Sequence, residues 1–236
     1  MYLTRFRINT ARSGARRLLT SPQHMHAAVM SSFAGALPSD GNTSRVLWRL
    51  DHNSRAEVLL FMVSEERPDL THLVEQAGWP TTATWQTYDY KSFLDGLTKG
   101  SVWDFRLTAN PVHYVRRTPD EPTKRTAHRT PRHQMNWLLT QQERAGFRVL
   151  QTPADQRRLA QGDENQLTVR NEQRHRFQKT EGTTGQANRV PLVTVTFDGR
   201  LEVTDPTALR RTLVLGLGKA KAYGCGLMTL ARGGGR

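Results

Sequence analysis

Polar and apolar positions alternate over residues 2–9 well enough to predict a strand. Ser21-Pro22 then reads as a helix start, with serine at the N-cap and proline at the first helical position. Met25, Val29 and Phe33 recur behind it at helical spacing. Residues 46–50 and 58–63 are strand-like, joined through Asp51-His-Asn-Ser, a turn composition. Residues 68–77 predict a short helix, and residues 79–90, aromatic and threonine-rich, read as irregular or strand. Residues 102–109 read as the strand that closes the first half. A β-α-β-β-α-β order of this kind is that of a ferredoxin-like unit.

The second half begins with residues 112–132, which read as a loop or linker. They hold three prolines, two acids and six bases: Arg116, Arg117, Lys124, Arg125, Arg129 and Arg132. Residues 134–145 predict a helix around Trp137, Leu138 and Leu139, ended near Gly146, and residues 147–150 a strand. Residues 167–179 are basic and suit a hairpin arm, whereas 180–188 are flexible by composition. Residues 190–197 and 200–203 read as two strands turned by Asp198-Gly199, a hairpin signal. A helix over residues 206–215, a glycine loop and a short strand over 227–231 finish the chain. The pattern permits a second ferredoxin-like unit, although no sequence repeat relates the halves.

Charge changes the picture most. Thirty-four Lys and Arg face 21 Asp and Glu in 236 residues, a net charge of +13. That surplus implies a polyanionic partner and says nothing of fold. It is unevenly spread: residues 1–39 carry no acid, residues 51–104 carry nine acids against four bases, and no acid follows Asp205. One solvated acidic face and one anion-binding face are therefore expected. The lone cysteine, Cys225, has no partner for an intramolecular disulfide and reads as a small buried apolar residue. No stretch has the length and apolarity of a membrane span or secretory signal, so a cytoplasmic location is expected.

Chemistry concentrates in two places. Residues 216–226 hold Gly216, Gly218, Gly224 and Gly226 with Lys219 and Lys221, a composition that lets backbone and positive charge approach a phosphate. No Ser or Thr follows either lysine, and Lys221 occupies the third position of a would-be G-x-G-x-x-G, so a nucleotide cofactor is not expected. The other place is His26, near the start of the helix after Ser21 and bordering its apolar stripe. His24 faces away at i−2, so the two cannot form a helical metal pair. On position alone His26 reads more readily as a packed or surface histidine than as a catalytic one. Convergent carboxylates for metal-dependent phosphate chemistry are not legible, and no metal is expected.

Gly216-Leu-Gly-Lys-Ala-Lys-Ala-Tyr-Gly-Cys-Gly-Leu-Met-Thr-Leu-Ala231 resembles the C-terminal glycine-rich signature of the CRISPR repeat-processing endoribonucleases of the type I-E system, the CasE-like branch of the RAMP superfamily. Met1-Tyr-Leu-Thr-Arg5, Arg106-Leu-Thr-Ala-Asn-Pro111 and Phe197-Asp-Gly-Arg-Leu-Glu-Val-Thr-Asp205 are similar to further family segments, in the family's order. The resemblance implies two tandem ferredoxin-like domains: 1–111 with the catalytic helix, a basic linker 112–132, and 133–236 with the basic hairpin and glycine loop. It implies that His26 is catalytic, and that the 2′-hydroxyl of RNA attacks the adjacent phosphate without metal or cofactor. The products are then a 2′,3′-cyclic phosphate and a 5′-hydroxyl. General base is the expected role of His26, with the acid–base assignment open. Gln23 stands where relatives can carry tyrosine and cannot usefully transfer a proton; with Lys219 and Lys221 it is a candidate for transition-state support. Arg170, Arg174, Arg176 and Lys179 on the arm, Arg116 and Arg117, and the four loop glycines are candidate RNA contacts. The implied partners are the repeat stem-loop, whose cleaved product stays bound, and the other subunits of a Cascade complex. The alternative is a non-catalytic subunit that only binds the hairpin.

Overall fold

The computed structural model describes residues 1–34, 46–54, 57–79, 85–116, 118, 121–159, 162–180 and 187–233, with side chains for all but 176–180 and 187–190. Its first unit runs β1 (Tyr2–Ile8), α1 (Ser13–Thr20), α2 (Pro22–Met30), β2 (Leu47–His52), β3 (Val58–Ser64), α3 (Thr71–Ala77) and β4 (Trp85–Asp89). The strands form an antiparallel sheet in the order β2-β3-β1-β4, the ferredoxin-like arrangement. A short helix α4 (Tyr90–Asp95) leads into the second unit. That unit runs β5 (Val102–Ala109), β6 (Val112–Val115), β7 (Lys124–Ala127), α5 (Pro131–Leu139), α6 (Gln142–Ala145), β8 (Phe147–Val149), β9 (Leu167–Thr180), β10 (Ala187–Val203), α7 (Pro206–Leu215) and β11 (Met228–Ala231). Its sheet order β11-β5-β10-β8 repeats the same topology, with β9 paired to β10 as an added arm.

Several sequence expectations are corrected. Val102–Ala109 opens the second unit instead of closing the first: it pairs with β10 and β11, and the first sheet is closed by the short strand β4. The sheets therefore divide between Asp89 and Val102, not at residue 111. The stretch 112–132 is not all linker, because β6 and β7 pair as a hairpin and α5 begins at Pro131. The helix expected over 134–145 is two helices, broken at Thr140 and Gln141. An arginine-rich segment with no assigned structure forms α1, burying Ala15 and Leu18. Asp198-Gly199 makes no turn; β10 runs straight through it, paired with β5 on one side and β9 on the other. Gly199 is required there by close approach, since a Cβ would lie 2.4 Å from the Gln166 carbonyl oxygen. The flexible segment expected over 180–188 falls mainly outside the described residues.

The first sheet is covered on both faces. Phe6, Ile8, Leu60 and Met62 pack under Leu18, Met25, Val29 and Leu73 of the helices. Leu47 and Val63, one residue out of step on β2 and β3, face a core shared with the second unit, including Phe105, Leu107, Leu227 and Met228. Between the units lies Arg49, 1% exposed. It donates two bonds to Asp51 at 2.7 and 2.9 Å, one each to the Arg106 and Leu227 carbonyl oxygens at 2.7 and 3.0 Å, and one to Thr229 Oγ1 at 2.8 Å. All five guanidinium N–H donors are thereby used. No helix among the described residues is long and apolar enough to cross a membrane.

Candidate active site

Ser21 caps α2 by accepting a hydrogen bond from the His24 amide at 3.3 Å, with Pro22 at the first helical position. Met25 and Val29 are fully buried and fix which face of α2 meets the sheet. His26, next to that face, is half-buried and turned toward the glycine loop. There the Tyr223 ring meets it edge-on, with centroids 6.5 Å apart. The His26 Nδ1 is buried and has no hydrogen-bond partner among the described residues. Burial lowers the pKa of His26 from its ordinary value. Protonating the ring would bury an N–H without an acceptor, which acts in the same direction.

The loop that supplies Tyr223 is held from below. A 3₁₀ turn, Lys221–Tyr223, is bracketed by Ala220 and Gly224, both left-handed. Gly226 donates its amide to the Thr108 carbonyl oxygen of β5 at 2.7 Å, and Leu217 donates to Gly226 at 2.9 Å. Glycine at 224 is fixed twice, by φ of +78° and by the Trp48 ring 2.7 Å from where a Cβ would stand. Gly216, Gly218 and Gly226 likewise pack against Leu47, Trp137 and the Leu217 backbone. Packing within the protein thus accounts for glycine at all four positions. Cys225 is fully buried, and burial pushes its thiol up to about 12, as its reading as a small apolar residue expects.

A cleft of about 70 Å³ opens beside this pair, lined by Pro22, His52, Arg106, Arg170, His175 and Tyr223 among others. Behind it a chain of charge runs through the molecule. Asp51 accepts from Arg49 and, at 3.2 Å, from Arg106; Arg106 donates to Asp198 at 2.6 Å, and Asp198 also accepts from Arg170. Arg170 is therefore committed to the root of the arm. Arg174 pairs at 3.0 Å with Glu172 at an exposed site, an interaction that holds it weakly.

Other sequence-derived candidates are dispersed. Gln23 and Lys219 are exposed, and Lys221 is half-buried in the same turn as Tyr223. Arg116 is exposed beyond the end of β6, and Arg117 lies outside the described residues. The backbones of Arg176 and Lys179 pair with Pro191 and Asn188 in the arm, and their side chains are not among those described. Among the described residues no three His, Cys, Asp or Glu side chains are grouped to hold a metal ion. Sequence reasoning missed Tyr223, although it lies inside the glycine-rich signature, and missed the Arg49–Asp51–Arg106–Asp198–Arg170 chain.

Two ferredoxin-like units stand in tandem, with a helical histidine set against a glycine-rich loop and a two-stranded arm. The profile described as "CRISPR associated protein" matches residues 1–232. The CRISPR-associated endoribonuclease Cse3 of Thermus thermophilus is 32% identical over 232 residues, 98% of this chain and 100% of the relative. The chain belongs to this CRISPR-associated family. The structure of Thermus thermophilus Cse3 bound to an RNA representing a pre-cleavage complex superposes with a TM-score of 0.73 at 28% identity, over 98% of each chain. A chain of a CRISPR RNA-guided surveillance complex shares the fold, with a TM-score of 0.61 at 20% identity over 98% of this chain and 100% of that one.

Proposed function

We propose that this protein is an endoribonuclease that cuts CRISPR precursor RNA at the base of the repeat stem-loop, without a metal ion. The observation that carries the reading is His26, half-buried, with its pKa lowered by burial, and set against Tyr223, which lines a cleft with Arg106 and Arg170. Its family and the RNA-bound relative support the same conclusion. In the reaction the 2′-oxygen forms a bond to the adjacent phosphorus and the bond from phosphorus to the 5′-oxygen breaks. Neutral His26 takes the proton from the 2′-hydroxyl, and the departing 5′-oxygen gains one. Such positioned proton transfer contributes on the order of 10²–10⁴-fold. Arg174 and the arm grip the stem, by phosphate and by shape, since the deep groove of A-form RNA hides its bases. Product retention and assembly with other subunits into a Cascade complex complete the proposal.

The test is cleavage of the host's own repeat hairpin in EDTA. One cut 3′ of the stem, leaving a cyclic phosphate, is expected; cleavage that requires added metal overturns the mechanism. The same assay checks the pKa argument. The acid limb of kcat/KM reports the essential base of the free enzyme. A histidine below its usual ~6.5 stays neutral into more acidic solution. More than half-maximal activity is therefore expected at pH 6.5, with the loss centred lower, and a limb centred above that value contradicts His26 as the base.

One observation favours a binding-only subunit: Gln23 is exposed one turn before His26 and supplies no titrating partner. In that reading the hairpin binds tightly and is never cut.

A further inference from the structure

Beside the Lys221–Tyr223 turn, and sharing no lining residue with the cleft, lies a groove of about 790 Å³. It is bounded by β6, the α5–α6 corner, α7 and the glycine loop, and its charge is one-sided. Arg144, Arg211, Lys219 and Lys221 line it, against one acid, Asp205. That acid is occupied as the N-cap of α7, accepting from the Thr207 and Ala208 amides at 2.9 and 3.1 Å. Arg211 and Lys219 make no ion pair among the described residues. The guanidinium of Arg144 has one neutral partner, Gln141 Oε1 at 2.9 Å.

Two further features distinguish the groove from a merely basic surface. Tyr114 stands at its edge 63% exposed, one of few large aromatic side chains so placed. Asn110 is 5% exposed, and its Oδ1 is buried with no hydrogen-bond partner among the described residues. Asn110 lines both this groove and a second one beneath the arm, which carries Lys124, Arg129 and Arg174. A buried acceptor left unpaired is unfavourable by about as much as a lost hydrogen bond, so its persistence at this junction points to a ligand.

We propose that the groove holds single-stranded RNA flanking the cut. Its phosphates lie along Arg144, Arg211 and Lys219, one base stacks on Tyr114, and Asn110 Oδ1 accepts from a base amino group or a ribose 2′-hydroxyl. Basic grooves with an aromatic platform are how proteins hold single strands. A duplex keeps its bases stacked on one another and offers Tyr114 no face. The 3₁₀ turn meets His26 through Tyr223 and borders the groove through Lys221, so the groove begins within one turn of the candidate base. This proposal rests on the endoribonuclease reading.

The experiment measures hairpin affinity with the full chain carrying His26→Ala, so that bound RNA stays intact. Three RNAs are compared: the blunt hairpin and the same hairpin with a flank of about ten nucleotides on its 5′ or its 3′ side, a length within the usual single-strand site sizes. One flank should tighten binding about tenfold, and which one does so identifies the strand. Arg144→Glu with Arg211→Glu, and separately Tyr114→Ala, should abolish that gain and leave the blunt hairpin unaffected. For three phosphates the gain should steepen the log–log salt slope by about 2. Equal affinity for all three RNAs, or a loss in the variants that the blunt hairpin shares, overturns the groove. Failure of the blunt hairpin to outcompete random RNA overturns the endoribonuclease reading, and the groove assignment with it.

Discussion

His26→Ala is expected to slow hairpin cleavage by about 10²–10⁴-fold while the dissociation constant for the uncut hairpin changes little. The second half of that statement follows from position. The His26 ring lies against Tyr223, which lines the cleft, and burial disfavours its protonated form, so it adds little positive charge there. RNA affinity, by contrast, comes from cations, here on the arm and beneath it. Single-turnover rates beside equilibrium binding on the same RNA make the comparison. Equal rates for the two proteins would move the chemistry elsewhere, to Lys219 and Lys221 first. A matched fall in affinity would make His26 a binding residue. Because Met25 and Val29, not His26, anchor α2, the variant should fold normally.

Arg49→Met carries the largest expected effect on stability. Removing one partner of a buried ion pair leaves the other charged in a dry site, a change of about 3–5 kcal/mol. Asp51, 7% exposed, would keep Arg106 at 3.2 Å and lose both bonds from Arg49. The Leu227 carbonyl oxygen would lose a donor at the seam between the units. The urea midpoint of the variant should fall accordingly, and Arg49→Met with Asp51→Asn should recover part of the loss because the uncompensated charge is gone. A midpoint within experimental error of the parent would show that the pair contributes nothing net. A double variant no better than the single one would place the loss in the carbonyl contacts.

Much of the architecture was legible. Ser21-Pro22 marked the start of α2 in the sequence, and one β-α-β-β-α-β order was readable, with β5 in the place that β4 holds; the second order was only permitted by the pattern, because its opening strand had been given to the first. What failed did so for identifiable reasons. β4 is a short edge strand, half solvated, so its pattern is weak, while β5 alternates clearly and drew the boundary to itself. Asp198-Gly199 carries turn chemistry, but Asp198 spends its carboxylate on Arg106 and Arg170 and Gly199 makes room for β9. Likewise Arg49 and Asp51 look like a strand end and a turn, because burial of a charge depends on partners 57 and 178 positions away from Arg49 that no local window contains. The arginines of α1 masked a helix whose inner face needs only Ala15 and Leu18. For the candidate site, His26 was singled out by its place on the helix and by the family segments. Its contact with Tyr223 was not, since it joins the two ends of the chain.

Strand β10 changes neighbours along its length. From Val195 to Glu202 it is the middle of a sheet, but from Ala187 to Thr194 its recorded pairing is with β9 alone. The outer part is a ribbon cantilevered from a root that Asp198 clamps to Arg106 and Arg170. Inserting two residues in each strand of that ribbon would carry its tip about 7 Å outward while leaving the alternation of faces, and everything at the root, in place. The arm is in effect a calliper, and its opening is set by residue count rather than by the catalytic centre. Under the proposed function, an arm of another length takes a stem of another length while His26 stays set against Tyr223.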